Sequence, residues 1–319
     1  MYYIGVDLGG TNIAVGIVDE NHRIVKKGST PTLPSRGAEA IVRDMTKVSQ
    51  ALMDDLGLTL SDIAYAGIAS PGIANRETGI IEYSCNLPFE NFPLAETFKK
   101  YLPVKEVYVE NDANAAALAE ALAGSAKGTA CSVMITLGTG VGGGIIVDGK
   151  VFSGFNFAGA ELGHTVIEKN GRQCGCGRRG CWETYSSATG LSNMTREKVQ
   201  ELMLKGIPSL MVDEYGETGK VSARTAFDAM KKGDKAGKEV VDEYISYLAC
   251  GIANMINIFQ PEVLSIGGGI CNEKNYLLDP LLEIVDREQY TRDNPRKTVI
   301  KIAEMGNDAG IVGAAGLGR

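Results

Sequence analysis

The segment from Glu161 to Glu183, ELGHTVIEKNGRQCGCGRRGCWE, gathers the side chains best suited to hold a metal. His164 is one of only two histidines in the chain, and Cys174, Cys176 and Cys181 are three of its seven cysteines. One imidazole and three thiolates close a tetrahedral zinc shell with no open position, which is the ligand set of a structural site. Gly175, Gly177 and Gly180 let the backbone turn tightly around an ion. Glu161 and Glu183 bracket the cluster, so a metal there would fix two carboxylates relative to each other. A disulfide framework is the rival reading, but it suits small secreted domains, and no leader pattern precedes YYIGVDLGG. A thioredoxin-type pair is disfavoured because a single residue separates Cys174 from Cys176. Cys85, Cys131, Cys250 and Cys271 are scattered in apolar surroundings and read as reduced core residues.

Four further motifs could meet a ligand. In Asp7-Leu8-Gly9-Gly10-Thr11-Asn12, a Gly-Gly turn leaves backbone N–H groups free for a phosphate, and Thr11 adds a hydroxyl. Asp7 is acidic where a phosphate would sit, which is consistent with a hydrated Mg²⁺ between them; a plain structural hairpin is the alternative. The run from Gly138 through Thr139 and Gly140 to Gly144 contains GxGxxG spacing, yet a dinucleotide fingerprint requires a helix after the glycines. The strand-like GIIVDGKVF follows instead, so a second phosphate-binding hairpin is the better reading. In Val109-Glu110-Asn111-Asp112-Ala113-Asn114, a strand hands over to an Ala-rich helix. Asp112 there is either a cap worth about 1 kcal/mol or a carboxylate presented at a strand's carboxyl end, and on the residues alone capping leads. Ser265-Ile266-Gly267-Gly268-Gly269-Ile270 is either a packing turn or a place where a flat ligand lies against backbone.

The elements that position these motifs follow from periodicity. Strand patterns fall at 2–8, 13–19, 22–28, 63–69, 104–110, 131–137, 143–148 and 262–267. Helical patterns cover 38–56, 91–101, 112–126, 183–193, 222–232, 235–259, 273–287 and 308–317, with polar helical excursions expected across 194–225. Residues 6–19, VDLGGTNIAVGIVD, echo residues 135–148, ITLGTGVGGGIIVD, at one constant offset. Two related halves, each opening with a hairpin, give an α/β architecture with ligands at the carboxyl ends of strands. At 319 residues there is room for two domains, and a hydrophobic content of 44% is ordinary for a globular chain. No run is apolar enough to cross a bilayer. A net charge of −7 argues against a nucleic-acid surface.

Together these motifs resemble the ROK family of sugar kinases, along the whole chain. The most specific elements are Glu161-x-x-His164, Cys174-x-Cys176-Gly-x-x-Gly-Cys181-x-Glu183 and the glycine-rich signature from Leu137 to Gly163. Within the family, CGCGRRGCWETYSSATGL is most similar to bacterial glucokinases. The resemblance implies an actin-like, hexokinase-like duplicated ATPase fold of two lobes with a cleft between them. Residues 1–110, joined by the C-terminal helix at about 302–319, would form the small lobe, and 111–301 the large lobe with the zinc site. The implied activity is phosphorylation of glucose at O6 with ATP and Mg²⁺. Asp112 takes the place of the catalytic base, and Asn111, Glu161, His164 and Glu183 those of sugar-hydroxyl ligands, with Gly72 and Asn86 as further sugar contacts. His164, Cys174, Cys176 and Cys181 match the structural zinc site. Gly9–Thr11 and Gly138–Gly140 match the phosphate loops, flanked by Asp7 and Asn12, and Gly267–Gly269 the adenosine region.

The resemblance further implies a cytoplasmic homodimer or tetramer. Rival substrates are mannose, fructose, allose, N-acetylmannosamine and N-acetylglucosamine. The family also includes sugar-responsive repressors, but those carry an N-terminal winged helix, whereas the first hairpin here begins at Tyr2. A binding-only relative is disfavoured by the presence of Asp7, Thr11, Asp112 and Thr139. Metal analysis of the purified protein is expected to find one zinc per chain, and Cys176→Ser to lower both zinc content and thermal stability, because metal-binding energy is partly folding energy.

Overall fold

The computed structural model describes every residue from Met1 to Arg319. Its strands are β1 (Tyr2–Leu8), β2 (Asn12–Val18), β3 (Ile24–Pro31), β4 (Ile63–Ser70), β5 (Ile73–Asn75), β6 (Ile80–Tyr83), β7 (Glu90–Phe92), β8 (Val107–Asn111), β9 (Ser132–Leu137), β10 (Val141–Val147), β11 (Lys150–Val151), β12 (Val263–Gly267) and β13 (Val299–Ile302). Its helices are α1 (Ala38–Asp55), α2 (Leu94–Tyr101), α3 (Asp112–Ala123), α4 (Glu183–Ser186), α5 (Ala188–Lys205), α6 (Leu210–Thr218), α7 (Thr225–Lys231), α8 (Lys235–Phe259), α9 (Asn275–Glu288) and α10 (Ala309–Gly316).

Two five-stranded sheets carry the echo seen in the sequence. The first runs β3-β2-β1-β4-β8 and the second β11-β10-β9-β12-β13. Counted along the chain, both orders read third, second, first, fourth, fifth. In the first sheet β1–β2–β3 is an antiparallel meander, and β4 and β8 add in parallel. In the second, β10–β11 is antiparallel and β12–β13 parallel. The repeated hairpins are β1–β2 and β9–β10. A small antiparallel sheet, β5-β6-β7, completes the strands.

The chain divides into two compact units, one of residues 1–134, 144–160 and 303–319 and the other of 135–143 and 161–302. These differ in extent from the lobes expected at residues 110 and 302: α3, with Asp112 at its start, belongs to the first unit. In that unit the apolar strands β1, β2 and β4 bury Ile4, Val6, Ile13, Val15 and Ile68 against Ile41, Met45 and Met53 of α1 and Phe98 of α2. The close packing of α10 is different in kind. Its sequence, AGIVGAAG, is buried throughout. A Cβ at Gly5 or Gly67 would overlap the carbonyls of Ile311 and Ala314, and one at Gly313 would overlap the Ala115 carbonyl of α3. Only glycine permits such backbone-on-backbone contact. Behind α10, the buried Glu120 of α3 accepts hydrogen bonds from Ser125 N (2.7 Å), Ser125 Oγ (2.7 Å), Glu304 N (3.1 Å) and Met305 N (2.8 Å). Four donors compensate a carboxylate that burial would otherwise penalise.

In the second unit the long α8 buries Val240, Tyr244, Ile245, Leu248, Ile252 and Ile256. Trp182, fully buried, lies on Gly251, where any Cβ would overlap the indole, and its Nε1 donates to Tyr247 O at 3.1 Å. Tyr244 Oη donates to Ser186 O at 2.8 Å, so α4 is tied to α8 from both ends. No helix is long and apolar enough to cross a membrane.

The expected strands are present with ends shifted by a few residues, while the short β5, β6, β7, β11 and β13 were not expected. The helix expected at 183–193 is two helices, because Ser187 adopts extended backbone and caps α5 by accepting from Gly190 N at 3.0 Å. The helix expected from 91 begins at Leu94, since Glu90–Phe92 pairs as β7 and Pro93 follows. Gly67→Ala should cost about 2 kcal/mol or more in denaturant unfolding because backbone must give way. Gly216→Ala, in α6 with nothing near its Cβ position, should be neutral or stabilising by up to about 1 kcal/mol.

Candidate active site and metal centre

In the first unit, Asp7 is the penultimate residue of β1 and the Gly9–Thr11 turn leads into β2, with Gly9 N donating to Asn12 O at 2.9 Å. Thr11 and Asn12 are exposed. Thr32, fully buried, clamps this turn: its Oγ1 donates to Gly9 O at 2.7 Å and its N–H to Thr11 O at 3.0 Å. Asn86 is exposed beside Gly10; a Cβ at Gly10 would lie 3.6 Å from the Asn86 Cβ. Gly72 sits at φ +104°, and its carbonyl accepts Asn111 Nδ2 at 3.1 Å.

At the strand-to-helix junction the cap of α3 is not Asp112. Asn111 is the N-cap of α3, its Oδ1 accepting from Ala113 N (2.9 Å) and Asn114 N (3.2 Å). Asp112 is the first helical residue, and only its Oδ1 shares the Ala113 N–H, at 2.9 Å. Capping therefore falls to its neighbour. Burial raises the Asp112 pKa above the ordinary carboxylate value. Asp7 is pushed up to about 6, chiefly by burial and further by the charge of Asp112. Two nearby carboxylates that both resist ionisation form a site that a divalent cation would relieve.

In the second unit, the Gly138–Gly140 turn joins β9 to β10, with Gly138 N bonded to Gly140 O at 3.0 Å and Gly138 O accepting Ala188 N at 2.8 Å. Gly268, at φ +101°, approaches Leu137 so closely that a Cβ would overlap the carbonyl. The Gly267–Gly269 turn thus lies beside the Gly138 turn. Glu161 is exposed and precedes the 3₁₀ turn Leu162–His164. Gly163 in that turn packs on the Val141 carbonyl.

His164, Cys174, Cys176 and Cys181 converge, with all four ligand atoms within 4.8 Å of one another. Cys174 Sγ is 3.6 Å from His164 Nδ1, and Cys176 Sγ is 3.6 Å from Cys181 Sγ. Burial pushes the Cys181 thiol up to about 12 and raises Cys174 as well, while the Arg178 backbone N–H lowers Cys176, so a cation would be needed to hold all three as thiolates. The donor set, its spacing and this electrostatics fit zinc. Glu183 adjoins the cluster, its Oε1 at 3.6 Å from Cys174 Sγ and 4.0 Å from His164 Nδ1. Of the four cysteines expected in cores, only Cys271 is fully buried; Cys85, one residue before Asn86, is exposed.

A family model described as the ROK family matches residues 3–319. The chain belongs to the ROK family. Its curated ROK relatives include the glucokinase of Thermotoga maritima, 39% identical over 317 residues that cover 98% of this chain and 96% of that protein. Among solved structures it resembles the ROK glucokinase of Streptomyces griseus in complex with glucose and AMPPNP (TM-score 0.78, 31% identity, 99% of both chains). It also resembles the ROK hexokinase of Thermus thermophilus (TM-score 0.81, 30% identity, 99% of this chain and 97% of that one). The two repeated sheets are those of the actin-like ATPase fold shared by ROK proteins.

Sequence reasoning overlooked Thr32, which carries no motif and reaches the turn only through the β2–β3 pairing. It also overlooked Gly310, where any Cβ would overlap the Asp7 carboxylate. The Gly310-x-x-Gly313-x-x-Gly316 spacing in the C-terminal helix was the available signal. In the absence of Mg²⁺, Asp7→Asn is expected to raise stability above pH 6 by roughly 1–3 kcal/mol, since the folded chain holds a charge there that it disfavours. The advantage should shrink as pH falls from about 6 toward 4, where the parent's folded state takes up the proton before its unfolded state does. Thermal melts of both proteins across that range check it.

Proposed function

We propose that this ROK protein is a sugar kinase that transfers the γ-phosphoryl group of ATP to O6 of glucose, with Asp112 as the base. The observation that carries this reading is the junction at Asn111 and Asp112. Asn111 takes over the helix cap, and Asp112 stays half-buried just past the carboxyl end of β8, with its proton affinity raised and its second oxygen unclaimed. A base needs both accessibility and a pKa nearer the working pH than an ordinary aspartate has.

In this reading Gly72, Asn86, Asn111 and Asp112 of the first unit are sugar-binding residues, as are Glu161, His164 and Glu183 of the second. Asn111 Nδ2, after donating once to Gly72 O, keeps a second N–H for a hydroxyl. With the Gly9 and Gly138 N–H groups bonded within their own turns, the phosphate donors in this reading are the backbone N–H groups of Gly10 and Thr11 in the first unit and of Thr139 and Gly140 in the second, with Gly267–Gly269 along the nucleoside. Asp7 would hold a hydrated Mg²⁺, which would supply charge neutralisation for the phosphate oxygens. The sugar O6 forms its bond to phosphorus as the bond to the ADP oxygen breaks, and Asp112 accepts the hydroxyl proton late in a loose transition state. His164, Cys174, Cys176 and Cys181 hold a structural zinc that keeps Glu183 in register. The glucokinase relatives and the glucose-bound neighbour support glucose as the acceptor.

Steady-state kinetics over a panel of hexoses and N-acetylhexosamines should give glucose the highest kcat/KM. Asp112→Asn should lower kcat by about 10²–10⁴ while glucose binding and the melting temperature hold. If fructose or an N-acetylhexosamine exceeds glucose tenfold, about 1.4 kcal/mol of transition-state preference, the glucose assignment fails. If the Asp112→Asn variant turns over within tenfold of the parent, the base is elsewhere.

A further inference from the structure

Glu183 has two oxygens with two different surroundings. Oε1 faces the metal cluster, 3.6 Å from Cys174 Sγ and 4.0 Å from His164 Nδ1. Oε2 accepts the backbone N–H of Val141 at 3.1 Å, and it fills the space where a Cβ at Gly140 would stand. The carboxylate is therefore wedged against the turn Gly138–Gly140. Its own backbone has little freedom to withdraw. Cys181, two residues before it, belongs to the cluster, and Trp182, immediately before it, is locked on Gly251 with its indole N–H bonded to Tyr247 O. The same turn is held from its other side by Ala188 N, which donates to Gly138 O at 2.8 Å.

We infer that Glu183 is a positioning residue for the donor-phosphate turn: its carboxylate joins the metal cluster to the Gly140–Val141 backbone, so that filling the metal site sets the shape of the turn that receives the nucleotide. This rests on the kinase reading, which assigns phosphate binding to that turn. It differs from a sugar-ligand role alone, because it makes nucleotide affinity depend on Glu183, and on zinc, when no sugar is present. A charge-assisted N–H···O⁻ bond holds a backbone group more firmly than a neutral one, so replacements should act in a graded way.

The test is calorimetric titration of Mg·AMPPNP, without sugar, into the zinc-loaded full-length protein and its variants. Metal content and melting temperature are recorded for each. Glu183→Ala and Gly140→Ala should each weaken nucleotide binding about tenfold while retaining one zinc, and Glu183→Gln about threefold, since its amide oxygen still accepts from Val141 N–H. Cys176→Ser, which removes the metal, should weaken binding in the parent but add little on top of Glu183→Ala, as expected of groups acting through one path. Nucleotide affinity within twofold of the parent in both Glu183→Ala and Gly140→Ala would overturn the inference. So would equal losses from Cys176→Ser with and without Glu183. If the parent binds nucleotide but phosphorylates no hexose, the sugar-kinase reading fails while these comparisons still decide the coupling. If the parent binds no nucleotide, both are wrong.

Discussion

Helix α10 meets β1 and β4 backbone to backbone, and that contact fixes the geometry of the first unit. Gly5 and Gly67 on the strands, and Gly310 and Gly313 on the helix, remove the side chains that would hold the layers apart. The outcome is a helix lying against Asp7 on one side and against the start of α3, with Asp112, on the other. Ordinary apolar packing separates a helix from a sheet by a layer of side chains and tolerates volume-conserving exchange. Here the spacing is set by the main chain itself, and the position of the carboxylates inherits that rigidity.

That rigidity explains the electrostatics. Asp7 and Asp112 are half-buried near each other, and each is less willing to ionise than a free aspartate. The chain keeps this unfavourable arrangement because the packing around it is over-determined: Thr32 grips the turn after Asp7, Asn111 caps the helix, and Glu120 gathers the segment that leads into α10. Such concentrated frustration at one place, amid otherwise consistent local choices, is the usual mark of a functional site. The second unit follows another logic. There the concentrated element is the Cys/His cluster, and the rigidity beside it comes from Trp182 seated on α8.

Much of this was legible in the sequence, for definite reasons. The Gly-Gly and Gly-Thr-Gly turns between apolar strands announced two hairpins, and the constant offset between them announced the repeated sheet order. The ligand cluster was legible because its four residues lie close along the chain. What escaped were partnerships between distant residues. Thr32 has no distinguishing neighbours, and Glu183 gives no hint that one of its oxygens reaches the Val141 N–H. Asp112 appeared to be a cap because aspartate favours that position; its neighbour Asn111 favours it equally, and only the backbone angles decide between them. The break at Ser187 was missed because both flanking segments share one helical pattern.

The make-up of the first unit bears on how the chain matures during synthesis. Residues 1–134, with the Gly5 and Gly67 that line the groove, leave the ribosome early, yet the helix that fills it lies at residues 309–316. Nothing else in the unit can enter that groove, since only a stretch as bare as AGIVGAAG fits. The stretches 135–143 and 161–302, by contrast, contain their own packing partners and can consolidate in the interim. The final surroundings of Asp7 and Asp112 thus depend on a segment made last. Until then Gly5 and Gly67 lack the helix whose backbone packs on them in the folded chain.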